Sequence, residues 1–76
     1  MEGQFVNIAG YRFVDLPDRD ALRAPFKSAC DEAGLLGTIL LSHEGINFFL
    51  SGNQSGIDQF LEFLETDERF IDIPVK

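Results

Sequence analysis

The chain has 76 residues, of which 13 are acidic and 6 are basic, giving a formal net charge of -7 at neutral pH. A domain of this length buries only about 60 to 65% of the surface that its unfolded chain exposes, so an active site deep in its core is not expected. The acidic balance disfavours nucleic-acid binding by this piece alone, because lysine and arginine supply that affinity by neutralising phosphates.

The chain contains one cysteine, Cys30, which excludes an internal disulfide and any metal site built from several thiolates. Cys30 falls on the apolar stripe of a predicted helix, which favours an inert buried thiol over a nucleophile. We expect neither a bound cofactor nor a metal. The sequence shows no signal-peptide pattern and no apolar run of about 18 residues, so we predict a cytoplasmic protein without membrane contact.

The first predicted element is a strand over Phe5 to Phe13, with a break or bulge near Gly10. A helix is predicted from Asp18 onward, with Gly34 as its C-terminal stop. Pro25 complicates this helix, which either kinks there or begins there after a short turn. The residues that define its apolar face are Leu22, Phe26, Ala29, Cys30 and Ala33.

Two short apolar runs, Thr38 to Leu41 and Ile46 to Leu50, flank a polar turn and predict a β-hairpin. Gly45 is free to take the positive φ that tight turns often require. His43 and Glu44 lie at the hairpin tip, a position where scaffolds often expose chemistry or contacts.

His43 and Glu44 are candidates for an acid/base pair or for two metal ligands. Adjacent residues on a strand point to opposite faces, and the sequence has no second histidine nearby to complete a metal site. We therefore interpret the pair as a solvated turn and predict no catalytic residue here. Asn47 is expected to orient the turn through hydrogen bonds to the backbone.

A second helix is predicted to begin near Ser55, an N-cap candidate with Asp58 three residues later. The last element, Phe70 to Val75, is predicted to be a fourth strand. Pro74 indicates that it is an edge strand or that the strand ends there. The apolar stripe of the second helix consists of Ile57, Phe60, Leu61 and Leu64.

The element order predicts an α+β fold, a ferredoxin-like βαββαβ sandwich whose antiparallel sheet carries two helices on one face, with residues 1–76 as one domain. The strands nevertheless place apolar groups on both faces. The face without helices is then an exposed apolar patch, which is typical of a protein interface. The residues that indicate it are Phe5 with Val6, Ile39 with Leu40 and Leu41, and Phe48 with Phe49.

Arg12 and Arg69 are candidates for binding an anion. The βαββαβ order resembles that of the acylphosphatases, which hold phosphate in a glycine-rich loop directly after the first strand. The corresponding loop here, Leu16 to Asp20, has two carboxylates and no glycine, so it would repel phosphate. A small hydrolase of the acylphosphatase type is the least favoured of the functions considered.

The segment Gly37 to Asn47 reads GTILLSHEGIN and resembles the GTILL-x-x-EGIN signature of the bacterial rhodanese-related tRNA uridine hydroxylases. The family continues this signature with glycine and threonine, whereas Phe48 and Phe49 follow here and add apolar surface. We expect turn or contact roles for His43, Glu44, Gly45, Asn47, Phe48 and Phe49. Further similarity covers Tyr11, Arg12, Phe13, Val14, Leu22, Arg23, Cys30, Ser51, Gly52, Asp67, Arg69, Phe70, Asp72, Val75 and Lys76.

This resemblance implies that the chain is the N-terminal, acylphosphatase-like domain of a longer protein with a downstream rhodanese domain. The rhodanese domain carries the catalytic cysteine for hydroxylating the wobble uridine of tRNA, and Cys30 does not correspond to it. The chain itself is then a non-catalytic accessory domain that docks the catalytic domain or the substrate, and tRNA is a partner of the parent protein. The alternative is a stand-alone interaction module that forms a weak homodimer through the uncovered sheet face.

Overall fold

A computed structural model describes residues 5–76 of the chain, and its first five helices and strands follow in the predicted order. A one-turn 3-10 helix, Glu68–Phe70, follows the last α-helix. The principal elements are β1 (Val6–Phe13), α1 (Arg19–Ala33), β2 (Leu36–Ser42), β3 (Gly45–Gly52) and α2 (Gln54–Leu64).

The three strands form an antiparallel sheet in the order β1-β3-β2, with β3 in the centre. The register between β1 and β3 is unbroken from Val6 opposite Gly52 to Phe13 opposite Gly45, so the predicted bulge near Gly10 is wrong. Glycine is needed at position 10 for a different reason. A Cβ there would lie only 2.7 Å from the ring of Phe48, which occupies the space beside Gly10.

The fourth strand predicted over Phe70 to Val75 is much shorter than expected. Phe70 belongs to the 3-10 helix and is buried, which turns this part of the chain toward the core rather than along the sheet. Only the last residues reach β1, where Val75 bridges Gly10 and the amides of Ala9 and Lys76 each donate to the other's carbonyl, at 3.1 and 3.0 Å. The final segment therefore borders β1, which is where a ferredoxin-like fold places its fourth strand.

Both helices cover the same face of the sheet, and the core lies between the two layers. Phenylalanine rings fill much of it: Phe26 of α1 meets Phe60 and Phe70 edge to face, with ring centroids 6.3 and 5.7 Å apart. Such pairs add stabilisation beyond the area that they bury. The α+β, ferredoxin-like fold is thus confirmed. The other buried apolar residues are Ile8, Leu16, Leu35, Ile46, Phe48, Leu50, Ile57 and Leu64.

Helix α1 runs continuously through Pro25, so the predicted start of the main helix at Pro25 is wrong. The neighbouring Phe26 is almost completely buried, and its packing holds the chain helical on both sides of the proline. The predicted end at Gly34 is confirmed. Gly34 has φ 70°, its amide donates to the carbonyls of Asp31 and Cys30, and a side chain is disfavoured in that conformation.

Helix α2 begins one residue before the predicted N-cap. Asn53 is the N-cap, and its side-chain oxygen accepts the amide of Gly56 at 2.9 Å. The hydroxyl of Ser55 donates to the same oxygen at 3.0 Å, so Ser55 supports the cap rather than forming it. Within residues 5–76, neither helix has both the length and the apolar content needed to cross a membrane.

Candidate functional site

The hairpin predicted from the sequence joins β2 to β3 through His43 and Glu44 alone. Ser42 pairs with Gly45 at its base, and Gly45 has φ 148°, which confirms the predicted positive φ. A Cβ at Gly45 would overlap the carbonyl oxygen of Arg12 on β1. Gly45 therefore serves the turn and the close approach of β1 at the same time.

The two tip residues are held by their backbone. The amide of Leu16 donates to the carbonyl of His43 at 3.1 Å, and that of Val14 donates to the carbonyl of Glu44 at 3.0 Å. The loop after β1 is thereby tied to the hairpin tip, while both side chains of the tip remain exposed.

The His43 ring contacts Arg19 at the start of α1, not Glu44. The Arg19 guanidinium donates to Nε2 of His43, which occupies the lone pair that a general base would use. Among the described residues 5–76, no group of three or more histidine, cysteine, aspartate or glutamate side chains is arranged to hold a metal ion. The contact role expected for His43 and Glu44 remains a prediction.

Arg69, one of the two anion-binding candidates, is engaged in an ionic cluster. Its guanidinium donates to both carboxylate oxygens of Asp18, at 2.7 and 3.2 Å, and to both of Asp67, at 3.0 and 2.7 Å. These hydrogen bonds lower the pKa of both aspartates and raise the pKa of Arg69. The cluster ties the 3-10 helix to the start of α1.

Arg12, the other candidate, donates to the backbone carbonyl of Asp72 at 3.1 Å. It therefore helps to hold the final segment beside β1. The two arginines make separate contacts, Arg12 with a backbone carbonyl and Arg69 with two carboxylates, so they do not combine into one anion site.

Cys30 lies on α1 and is half-buried, as the apolar stripe predicts. Burial is the main cause that raises the pKa of its thiol, and the neighbouring carboxylate of Asp31 adds to the effect. A thiol with a raised pKa is a poor nucleophile at neutral pH.

The side of the sheet that faces away from the helices is uncovered within residues 5–76, and we call it the open face. Tyr11 and Phe13 on β1 are 63% and 84% exposed, and Phe49 on β3 is 60% exposed. Leu36 and Leu40 on β2 extend the patch to the sheet edge. The remaining open-face positions of the three strands are Asn7, Ala9, Thr38, Ser42, Gly45, Asn47 and Ser51, all without charge.

Phe48 does not belong to this surface, contrary to the role expected from the sequence. It is only 2% exposed, and its ring lies 5.5 Å from that of Phe60, centroid to centroid. Side chains alternate along a strand, so only one of two adjacent phenylalanines can face outward, and here it is Phe49. Asn47 faces outward with Phe49, in the row between Tyr11 and Leu40.

Sequence reasoning missed three members of the open face, Tyr11, Phe13 and Leu36. The signal was present in β1, where Tyr11 and Phe13 alternate with Gly10 and Arg12 and therefore share one face. The contact between Arg19 and His43 had no such signal, because the two residues are 24 positions apart and meet only through the fold.

Comparison of the sequence with known proteins identifies the family of this chain. Residues 5–76 match the model of the UPF0176 acylphosphatase like domain. A protein of Cupriavidus metallidurans named tRNA uridine(34) hydroxylase is 52% identical over 73 residues, covering 96% of this chain and 26% of the relative. A protein of the same name from Bordetella avium is 54% identical over 71 residues, covering 93% of this chain and 29% of the relative. The chain thus spans about a quarter of the length of these curated relatives.

Proposed function

The chain belongs to the UPF0176 acylphosphatase-like domain family, and from this premise we propose that it is a non-catalytic accessory domain of a rhodanese-type tRNA uridine hydroxylase. Its expected location is the cytoplasm, where tRNA is modified. The single observation that supports the accessory role best is the open face. A large apolar surface on a small acidic domain is costly to leave in water, and such patches usually mark protein interfaces.

The composition of the open face favours a protein neighbour over tRNA. The strand positions that face this side carry exposed phenylalanine, tyrosine and leucine but no charged residue, which is the composition of an interface core. RNA binding needs lysine and arginine to neutralise phosphates, and no open-face position of the three strands is a lysine or an arginine. We infer that the open face packs against the downstream rhodanese domain of the same polypeptide and that tRNA is held mainly by the rest of the parent protein.

The proposal assigns no chemical step to the hairpin tip. His43 is engaged with Arg19, and Glu44 is exposed at the end of the turn. The tip instead ties the loop after β1 to the sheet through the backbone carbonyls of His43 and Glu44.

The test uses the full-length parent protein in which this chain is the N-terminal part. Phe49→Ser and Leu40→Ser each add a hydroxyl to the open face without touching the core. We expect the pair to lower the melting temperature of the whole protein and the rate of tRNA hydroxylation, because the two domains no longer dock. Glu62→Ser on the exposed side of α2 is the matched control and should change neither.

Two outcomes would contradict the proposal. One is a double variant with the melting temperature and hydroxylation rate of the unaltered protein. The other is a parent protein that lacks residues 1–76 and still binds and hydroxylates tRNA normally. If the isolated chain instead sediments as a dimer that Phe49→Ser dissociates, the open face pairs with a second copy.

A further inference from the structure

Strand β2 is an unprotected edge of the sheet. It lies at the end of the order β1-β3-β2, and no strand within residues 5–76 pairs with its outer side. Natural edge strands usually carry charges, proline or a bulge that prevents further pairing. The sequence of β2, LGTILLS, has no charged residue and no proline, and its register with β3 is unbroken. It is therefore open to the addition of another strand.

The ladder pattern identifies the free backbone groups. The amide and carbonyl of Ala9 both bond to Lys76, so they point away from β3. Backbone groups of successive strand residues point to opposite sides, so the amide and carbonyl of Gly10 point toward β3. The same alternation applies across β3 to β2, so the backbone amides and carbonyls of Thr38 and Leu40 point toward β3. The amides and carbonyls of Ile39 and Leu41 consequently point outward, with no backbone partner among the described residues.

A groove runs beside this edge between β2 and α1. Its volume is about 480 Å³, and its floor includes Ile39, Leu41 and Phe26. Ile39 and Leu41 are only half-buried, so apolar surface remains uncovered next to the free backbone groups. Arg23 and Lys27 of α1 line the opposite rim together with Asp31, whose carboxylate pairs with Lys27 at 3.4 Å.

Three of the six basic residues lie in one row on α1, which we call the basic stripe: Arg19, Arg23 and Lys27. Residues four apart lie on the same side of a helix and are separated by about 6 Å along its axis. Arg19 contacts His43, whereas Arg23 and Lys27 have only weak internal partners, because the ion pairs Arg23–Asp20 at 3.8 Å and Lys27–Asp31 at 3.4 Å are highly exposed.

We propose that β2 accepts an extended segment of a separate polypeptide as an additional strand, and that this segment carries glutamates at alternate positions facing the basic stripe. Alternate residues of a strand are about 6.6 Å apart, which matches the spacing of the stripe. The glutamate stems cover Ile39 and Leu41, and the carboxylates reach Arg23 and Lys27. Main-chain hydrogen bonds to the edge supply affinity, and the side chains supply specificity.

Charge disfavours a second copy of this chain as the occupant. Pairing of β2 with its own copy across a two-fold axis would bring the two basic stripes together on the same side of the extended sheet. The strand also has no carboxylate to offer to the partner's stripe. An acidic strand meets the stripe with the opposite charge.

The test titrates the isotopically labelled chain with a short peptide that alternates glutamate with valine, against the same peptide with lysine for glutamate. We expect the glutamate peptide to shift and protect the amides of Ile39 and Leu41, and to bind at least about tenfold more tightly than the lysine peptide. The double variant Arg23→Glu with Lys27→Glu should reverse this preference without affecting the fold, because both side chains are exposed. Lys76→Glu, on the opposite edge, is the matched control and should leave the preference unchanged.

Ile39→Pro is a second variant, which removes an outward amide without removing a bond to β3, and it should abolish binding. The proposal is overturned if neither peptide binds, if both bind equally, or if the shifts fall on Tyr11 and Phe49 of the open face. It is also overturned if protection of Ile39 and Leu41 rises with protein concentration alone, which indicates a second copy. Displacement of the glutamate peptide by a single-stranded RNA would assign the basic stripe to phosphate instead.

Discussion

Phe48 and Phe49 are adjacent on β3, and the structure places Phe48 in the core and Phe49 on the open face. Replacing each of them in turn tests this assignment with residues of the same type. In Phe48→Ala, a ring that is 2% exposed and packed between Gly10 and Phe60 is removed from the core. Truncations of buried phenylalanine cost about 3 to 5 kcal/mol, through lost transfer free energy and the cavity that remains. In Phe49→Ala the ring is 60% exposed, and the expected loss is under about 1 kcal/mol.

The size of the first effect can be compared with the stability of the whole domain. A chain of 76 residues is expected to have roughly 4 to 11 kcal/mol of unfolding free energy. Phe48→Ala therefore removes a large share of it. Phe48→Leu keeps most of the apolar volume and should cost about 1 to 2 kcal/mol, so it remains measurable if the alanine variant does not fold.

The assay is urea unfolding of the isolated chain, followed by far-UV circular dichroism. With a slope of about 1 kcal/mol per molar urea for a small domain, Phe48→Leu should lower the midpoint by about 1 to 2 M. Phe49→Ala should lower it by less than about 1 M. Equal losses for the two positions, or a larger loss at Phe49, would refute the assignment of the two faces.

Three further predictions concern the turn, the helix cap and the ionic cluster. Gly45→Ala should cost at least about 2 kcal/mol by urea unfolding, because its φ of 148° and the nearby β1 backbone both reject a side chain, and a loss below about 0.5 kcal/mol would contradict this. Asn53→Ala should cost about 1 kcal/mol by the same measurement, whereas Asn53→Ser should retain most of the stability, and equal losses would argue against the cap. Arg69 lowers the pKa of Asp18 and Asp67, so their contribution is complete above about pH 4 and is lost as the pH falls through the lowered pKa values. Arg69→Met should be less stable than the unaltered chain at pH 7, and the difference should shrink on acidification; a difference independent of pH would contradict the cluster's role.

The hairpin and both helices could be predicted because their signals are local. Two short apolar runs on either side of a polar turn with a glycine define β2 and β3, and Gly34 ends α1 by its own conformational preference. The fourth strand could not be placed correctly for the opposite reason. Phe70 looks equally suited to a strand, and only the position of Phe26 in the folded core decides that it turns inward. Tertiary packing overrode the local pattern there, as it did at Pro25.

The candidate site could likewise be predicted only in part, because some of its features depend on the strand register and not on local sequence. Two adjacent phenylalanines indicate apolar groups on both faces of a strand, but the sequence does not say which of Phe48 and Phe49 faces the helices. The register with β1 decides it, because Phe48 lies opposite Gly10, where the absent side chain leaves room for a ring on the helix side. The free edge of β2 is likewise invisible in its own sequence, since it depends on the order of the strands.

The position of Tyr11 gives this molecule a built-in optical reporter. The chain has one tyrosine and no tryptophan, so its intrinsic fluorescence above the phenylalanine region comes from a single ring. That ring stands on the open face, 5.6 Å from Phe13, while the phenylalanine core on the other side of the sheet does not emit in this range. Any neighbour that covers the open face must therefore change the polarity around the only emitter, and occupancy can be read without labels or substitutions.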